Sequence, residues 1–315
     1  MPTAKKSLAV ELSAVIVSVT KNEPQVLVTP DQTLPSGPFG TQHRTLEQGL
    51  RAWVENQSHL RLGYVEQLYT FADKDRTFGT DGDDYRVISI GYLALMRPAT
   101  ESKDIPITTD WYKYFPWEDR RAGVPAITAL ILRGLTTWKN AATDTAKRRE
   151  REERIAINFP KDPKQWNEEL VLQRYELLWS ANLLEESQRA PHKKGYTPVT
   201  IPSLAMAHDH RRILATGMAR LRAKIKYRPV VFELLPERFT LLQLQGTVEA
   251  LAGLRLHKQN FRRLVQTQGL VEETSSYQST VTMGEARGRP AKLFAFRREV
   301  LRERAAVGTK LPRSG

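Results

Sequence analysis

The chain has 315 residues, no cysteine and a formal net charge of +13. That length accommodates two domains, and the missing cysteines exclude disulfides and thiolate metal sites within it. No apolar run approaches the roughly 20 residues that a membrane-spanning helix requires. We therefore expect a cytoplasmic protein without membrane contacts.

The positive charge is concentrated towards the C-terminal end. Residues 211–315 contain 21 Lys and Arg against 8 Asp and Glu, whereas residues 1–210 contain 27 of each. A basic surface confined to one region is the electrostatic footprint of a polyphosphate-binding domain. The composition therefore favours a nucleic-acid-binding C-terminal domain over an incidentally basic surface.

Residues 1–117 have the pattern of a mixed α/β domain. Apolar patterning predicts strands at Leu8–Val19, Gln25–Val28, Val65–Phe71 and Val87–Met96. It also predicts one amphipathic helix from Thr45 onward. Strands interrupted by a helix indicate a mixed-sheet sandwich. An aromatic cluster at 111–117 then either closes the core of this domain or stacks an adenine through Trp111.

An insertion of about 80 residues, 118–200, follows this domain. It is too long for an ordinary loop, and its apolar periodicity predicts helices at Ala126–Ile157 and Trp166–Leu184. We expect an inserted helical hairpin. Its role stays open between a dimer interface, a lid over a ligand site and a stabilising addition packed on the core.

Residues 201–228 end the first domain and lead into one predicted helix, Arg211–Lys226. His208 and His210 stand just before it and flank Asp209, a spacing compatible with a metal site. Because no further ligand cluster stands nearby in the sequence, we favour a structural hinge between the two domains.

Two short helices joined by a tight turn are predicted next. Thr240 and Gln243 have the spacing of a capping box, and Gly253 stands where the apolar pattern of the first helix ends. The second helix begins near His257, and its outer face is cationic and rich in amides, as a recognition helix in the major groove requires. The residues expected to contact DNA from this helix are Lys258, Gln259, Asn260, Arg262 and Arg263.

A β-hairpin completes a winged helix over residues 229–304. Its strands are predicted at Leu270–Thr274 and Lys292–Phe296, and the loop between them ends in Arg-Gly-Arg-Pro. Such a tip suits a narrow minor groove, where negative potential attracts arginine and glycine allows close approach. The DNA contacts expected from this wing are Arg287, Gly288, Arg289 and Lys292. A winged helix used only for protein contacts is the alternative, and residues 305–315 are expected to form a flexible tail.

Several separated motifs resemble those of the Nudix-related transcriptional regulators of NAD metabolism, in the same order and over about two thirds of the chain. They are Leu34–Leu60, which looks like a Nudix box, Gln67–Phe71 with Asp73, Asp75 and Arg76, Ala207–His210, Arg220–Arg222, Tyr227, Phe239–Leu241, Asn260–Arg263 and Arg287–Ala291. The resemblance implies a dimeric repressor of NAD-biosynthesis or NAD-salvage genes, with a Nudix-like sensor domain and a winged helix. It implies double-stranded operator DNA as a partner and an adenine nucleotide, ADP-ribose or ATP, as the effector.

The resembling box lacks the carboxylates of Nudix hydrolases. Those enzymes hold Mg²⁺ against a diphosphate with three glutamates on one helix, whereas the corresponding positions here are Trp53, Asn56 and Gln57. We therefore expect no catalytic residue, no metal and no cofactor, and we read Glu47 and Glu55 as exposed helix residues. The alternative is a Nudix hydrolase of ADP-ribose, or of a related nucleoside diphosphate derivative, with an appended nucleic-acid-binding domain.

The candidate contacts to a bound nucleotide are basic side chains of the N-terminal domain and one aromatic ring. They are Arg44, Arg51, Arg76, Arg86 and Trp111. Each arginine taken alone is more typical of a surface salt bridge.

Overall fold

The structure, a computed structural model, describes residues 8–40, 43–58, 62–73, 86–97, 107–189, 199–278 and 291–303. Within these residues, six strands form one mixed sheet in the N-terminal part. They are β1 (Leu8–Thr20), β2 (Glu23–Leu27), β3 (Ser36–Pro38), β4 (Val65–Phe71), β5 (Arg86–Leu95) and β6 (Thr108–Asp110). The sheet order is β4-β5-β1-β2-β6, and β3 pairs with β1. The four predicted strands are confirmed, with ends that differ by one or two residues.

The 13-residue strand β1 organises this sheet. One of its edges pairs in parallel with β5 from Leu8 to Val17, and it also pairs antiparallel with β3 and then β2. Lys21 and Asn22 make the tight turn into β2, and both have positive φ, 53° and 61°. A two-residue hairpin turn with this twist requires positive φ at both central residues.

The two faces of the sheet bury different helices, because successive side chains of a strand point to opposite faces. Ile16 lies in a hydrophobic cluster with Leu50 of α1 (Leu46–Ser58). Its neighbour Val15 lies in a second, larger cluster that includes α6 (His210–Tyr227). The sheet is therefore sandwiched between helices, as predicted, and α6 confirms the helix expected at Arg211–Lys226.

The insertion contains four α-helices within the described residues: α2 (Ile127–Asn140), α3 (Thr145–Asn158), α4 (Val171–Ser180) and α5 (Glu185–Arg189). The prediction of one helix over Ala126–Ile157 is wrong, because the chain breaks at 141–144 and starts again at an N-cap, Asp144. The Asp144 carboxylate accepts a hydrogen bond of 2.7 Å from the N–H of Lys147, and a capped donor of this kind stabilises a new helix start.

The second predicted insertion helix, Trp166–Leu184, is too long at both ends. A short 3₁₀ helix at Pro163–Gln165 precedes α4, which begins only at Val171. The chain leaves α4 through Asn182, whose φ of 58° is incompatible with a continuing helix. Helices α2 and α3 pack against each other, although both lie almost entirely within the first predicted helix, so the expected pairing of two long helices is not what forms. Helix α4 packs against α3 and α6.

The C-terminal part is a winged helix. Its elements are α7 (Leu241–Ala252), α8 (Lys258–Thr267), β7 (Val271–Gln278), β8 (Ala291–Phe296) and α9 (Val300–Glu303). The predicted capping box is confirmed, since the N–H of Gln243 donates to Thr240 Oγ1 at 3.1 Å and the N–H of Thr240 donates to Gln243 Oε1 at 2.7 Å. Gly253 follows α7 with a φ of 71°, the left-handed conformation expected of a glycine at a helix end.

The winged helix packs directly on the rest of the chain. A single hydrophobic cluster contains Val15 of the sheet, Leu178 of the insertion, Leu244 of α7 and Phe261 of α8. The two parts are thus joined by a shared core as well as by the chain. Among the described residues, no helix combines the length and the hydropathy of a transmembrane segment.

Candidate nucleic-acid interface

Helix α8 presents a polar face to solvent. Phe261 and Val265 anchor the helix and are fully buried. The side chains predicted to contact DNA are all exposed: Lys258, Gln259, Asn260, Arg262 and Arg263. In the part of the chain that the structure describes, the three cations of this face have no ion pair. Their charges are therefore available to phosphate oxygens and guanine edges.

The wing contributes one described residue of the predicted set. Lys292 of β8 is half-exposed, and its Nζ lies 2.8 Å from a carboxylate oxygen of Glu273 on β7. DNA would have to compete with that carboxylate for the ammonium group. The wing residues Arg287, Gly288 and Arg289 lie outside the described residues, and their role stays a prediction.

The turn between α7 and α8 depends on a buried carboxylate that the sequence analysis missed. Glu249 is 5% exposed. Its Oε1 accepts hydrogen bonds from the N–H of Leu256 at 2.9 Å and from Gln245 Nε2 at 2.8 Å, and its Oε2 pairs with Arg255 at 2.9 Å. One side chain thus joins α7 to the segment that leads into α8. The sequence did contain a signal for this role, namely a glutamate within a helix that is otherwise mostly apolar. A glutamate in such a position is buried, and a buried carboxylate nearly always has hydrogen-bonding or ion-pair partners.

Helix α1, which carries the second half of the sequence resembling a Nudix box, packs a tryptophan against the sheet. A Cβ placed on Gly37 of β3 would lie 2.0 Å from the indole of Trp53, so the ring covers that glycine. Glu47 pairs with Arg51 at 2.9 Å along the same helix. Within the described residues, no group of three His, Asp or Glu side chains is placed to hold a metal ion.

The four candidate phosphate contacts differ in their surroundings. Besides pairing with Glu47, Arg51 donates to the carbonyl oxygens of Leu62 at 2.6 Å and Gly63 at 3.2 Å, so it also holds the segment after α1. Arg44 is exposed. Arg76 lies outside the described residues, and only the backbone of Arg86, at the start of β5, is described.

Trp111 belongs to the hydrophobic core. It is 0% exposed and meets the ring of Tyr112 edge-on, with centroids 6.0 Å apart. A ring without exposed surface has no face left for an adenine. The interpretation of Trp111 as a ligand contact is therefore wrong, and the alternative interpretation of this cluster as core is correct.

The His208-Asp209-His210 segment connects two distant parts of the chain. His210 is buried, and its Nδ1 accepts a hydrogen bond of 2.9 Å from the N–H of Leu34. Burial, together with the neighbouring His208, lowers the pKa of His210 to about 3, so the ring is neutral at neutral pH. The start of α6 is thereby tied to the start of the sequence that resembles a Nudix box. The hinge expected at this segment stays a prediction.

Comparisons with known proteins agree with this architecture. Residues 231–296 match the family model described as the NrtR DNA-binding winged helix domain. The chain is 32% identical over 139 residues to the ADPR responsive transcriptional repressor NtrR of Acinetobacter baylyi, and the alignment covers 44% of this chain and 52% of the relative. The chain thus matches about half the length of this curated relative.

Two crystal structures of NrtR from Shewanella oneidensis are similar along most of the chain. The complex with a 27mer DNA is 18% identical, with a TM-score of 0.52 over 92% of this chain and 94% of that one. The second crystal structure is 17% identical, with a TM-score of 0.52 over 93% and 95%. Likeness at this identity shows the fold. The predicted class, a Nudix-type mixed-sheet sandwich followed by a winged helix-turn-helix, is confirmed.

Proposed function

We propose that this chain is a sequence-specific DNA-binding transcriptional repressor whose Nudix-like domain binds an adenine nucleotide without hydrolysing it. The observation that carries the proposal is the exposed face of α8, where cations stand beside amides and have no carboxylate partner among the described residues. Cations neutralise DNA phosphates, and arginine, glutamine and asparagine make the bidentate contacts that distinguish base pairs. The assigned DNA contacts are Lys258, Gln259, Asn260, Arg262, Arg263, Arg287, Gly288, Arg289 and Lys292.

The relatives support the regulatory part of this function. One is named as a repressor that responds to ADPR, and another was crystallised with DNA. By analogy with them, we assign ADP-ribose or ATP as the effector, a homodimer as the DNA-binding species, and genes of NAD biosynthesis or salvage as the targets. A repressor works in the compartment that holds its DNA, so we assign the chain to the cytoplasm.

The lack of hydrolysis in this proposal rests on helix α1. A Nudix-type reaction needs carboxylates that clamp Mg²⁺ on the diphosphate, and the indole of Trp53, packed on Gly37, supplies none. Arg44, Arg51, Arg76 and Arg86 then remain as the candidate phosphate contacts. No observation on the described residues favours the alternative of a hydrolase.

Helix α6 offers a path between the two binding functions. At its first residue, His210 bonds to the backbone of Leu34. Further along the same helix, Arg222 Nε donates to the carbonyl of Leu251 in α7 at 2.8 Å. A nucleotide that displaces the Leu34 segment would therefore act on the helix-turn-helix through one rigid element, which is how a small local shift is transmitted.

DNA binding with and without nucleotides tests this function. Duplexes selected from a randomised pool would be titrated by fluorescence anisotropy, beside a shuffled duplex of equal length. We expect tighter binding of the selected duplex, and a change of about 5- to 150-fold on saturation with ADP-ribose or ATP. Equal affinity for both duplexes would contradict the repressor, and an affinity that neither of these nucleotides changes would contradict the sensor.

A further inference from the structure

Glu118, Arg174 and Arg222 form a buried ionic cluster, with all three side chains 0% exposed. Arg174 donates to both carboxylate oxygens of Glu118, at 2.5 Å and 2.9 Å, and Arg222 Nη1 donates to Oε2 at 2.7 Å. Burial alone would raise the pKa of Glu118, but the two guanidinium groups hold it below its ordinary value. The carboxylate is therefore ionised, and the cluster is internally paired as a buried charge requires.

This cluster contacts the end of helix α7. Arg222 Nε donates to the carbonyl of Leu251 at 2.8 Å, and the hydroxyl of Tyr112 donates to the carbonyl of Ala250 at 2.7 Å. Arg222 Nη2 in turn donates to the Tyr112 hydroxyl at 3.2 Å. The last carbonyls of a helix have no partner within it. Here, groups from outside the winged helix supply two of those partners.

The turn of the helix-turn-helix lies against the same cluster. The N–H of Arg120 donates to the carbonyl of Gly253 at 2.8 Å. A Cβ at Gly253 would lie 2.4 Å from the carbonyl oxygen of Glu118, 2.8 Å from the Tyr112 hydroxyl and 2.9 Å from Arg222 Nη2. The backbone of the turn therefore touches the groups that bind the end of α7.

The insertion supplies part of this arrangement. Arg174 belongs to α4, and the carbonyl of Glu168 accepts a hydrogen bond of 3.0 Å from Arg222 Nη1. The ring of Trp166 lies between two guanidinium groups, with the Cζ of Arg120 at 3.4 Å and that of Arg174 at 3.7 Å from its centroid. Inserted residues thus hold the same side chain that bonds to α7.

We infer that Arg222, held by Glu118 and by Arg174 of the insertion, is a positioning residue for DNA binding. It binds the end of α7 and lies against the turn at Gly253, and so sets the direction in which α8 begins at Lys258 a few residues later. Base readout depends on hydrogen bonds that tolerate little displacement. This inference rests on the proposed function, and it gives the insertion a role that the sequence left open.

Two mild substitutions test the inference in the full chain. Arg174→Lys keeps the charge but loses the two parallel bonds to Glu118, and Tyr112→Phe removes only the hydroxyl that binds Ala250. We expect each to lower affinity for the selected duplex about 2- to 30-fold. Affinity for a shuffled duplex and the dependence on salt should stay at wild-type values, because the phosphate contacts are untouched.

Arg211→Lys is the matched control. Arg211 lies on the same helix, is equally buried and pairs with Glu186 at 3.1 Å. Among the described residues, its other hydrogen bonds go to the carbonyl of Tyr114 and to Ser203 Oγ, outside the winged helix. This variant loses a comparable buried bond, so it should lose stability while it keeps the discrimination between the two duplexes.

An engineered disulfide provides the rescue. The chain contains no cysteine, and a Cβ on Gly246 of α7 would lie 2.9 Å from Cγ of Asn22 in the β1–β2 turn. Asn22→Cys with Gly246→Cys would therefore tie α7 to the sheet in the observed arrangement. In the Arg174→Lys background, we expect the oxidised form to regain wild-type discrimination and the form treated with reductant to lose it again.

The outcomes separate this inference from the proposed function. A wild-type chain that binds selected and shuffled duplexes equally would overturn both. If the wild type discriminates, unchanged discrimination in folded Arg174→Lys and Tyr112→Phe overturns the inference alone. Loss of specific binding on oxidation of the cysteine pair in the wild-type background would also overturn it, because the observed docking would then not be the DNA-binding arrangement.

Discussion

The backbone N–H of Leu34 donates a hydrogen bond of 2.9 Å to Nδ1 of the buried His210. His210 is the first residue of α6, and Arg222 lies 12 positions further along the same helix. At about 1.5 Å rise per residue, these contacts are about 18 Å apart. The segment that resembles a Nudix box and the end of α7 thus touch one continuous helix.

The burial of His210, with His208 beside it, predicts a pH-dependent stability. The pKa of His210 is about 3 in the folded chain and about 6.5 when unfolded. Protons therefore bind the unfolded chain preferentially, so this stability is present above about pH 6.5 and is lost as the pH falls towards 3. Between pH 7.5 and 5.0 the loss from this group is about 2 kcal/mol.

Urea unfolding at the two pH values measures this effect. His210→Asn should remove the contribution of this titrating group. From pH 7.5 to 5.0, the free energy of unfolding of the variant should therefore fall by about 2 kcal/mol less than that of the wild type. His257→Asn is the control, because His257 is exposed and its side chain makes no capping bond. Equal pH dependence in His210→Asn and the wild type would contradict the prediction.

The exposed cations of α8 predict a loss of DNA binding on truncation. Arg262→Ala and Arg263→Ala should each weaken binding, by one of two routes. A lost phosphate contact lowers the slope of log affinity against log salt by about 0.9, whereas a lost base contact costs about 1–3 kcal/mol and relaxes specificity. Arg133→Ala on the exposed surface of α2 removes the same charge. If all three variants lose affinity equally, the effect comes from net charge and not from α8.

The Glu249 carboxylate predicts a stability loss in the winged helix. Glu249→Ala leaves the partly buried N–H of Leu256 without its partner and removes the buried bond to Gln245, and an unmade buried bond costs about 1–3 kcal/mol. Urea unfolding measures this cost, and DNA affinity should fall with it because the turn into α8 loosens. Glu273→Ala breaks only the exposed pair with Lys292 and should cost about 1 kcal/mol or less. Equal costs for the two variants would argue against a structural role of Glu249.

The packing of Trp53 predicts that the chain does not hydrolyse nucleotides. With ADP-ribose, diadenosine polyphosphates or NAD, and Mg²⁺ or Mn²⁺, the chain should release no AMP, because α1 lacks the carboxylates that clamp the metal on the diphosphate. Chromatography of the reaction products measures this, with a Nudix hydrolase as the positive control. Sustained turnover at about one per second or faster would instead establish the hydrolase alternative.

Features encoded within a few residues were predicted correctly. The capping box at Thr240 and Gln243, the helix end at Gly253 and the exposed face of α8 depend on spacings of three to four residues or on one backbone conformation. The break between α2 and α3 was missed, although Asp144 is a good N-cap. Helical periodicity continues on both sides of this break, apolar before it and charged after it. Periodicity alone does not show where a helix is interrupted.

By itself, the sequence determined the order of the long strands and helices outside the insertion, the winged helix and the cationic face of α8, because these follow from local hydrogen bonding and periodic burial. Tertiary structure alone decided that Trp111 is core, and that Glu118, Arg174 and Arg222 meet across separations of 56 and 104 residues. A buried charge is stable only with partners that the whole fold brings to it. Local sequence patterns do not predict those partners, and the contacts among them join the insertion to the helix-turn-helix.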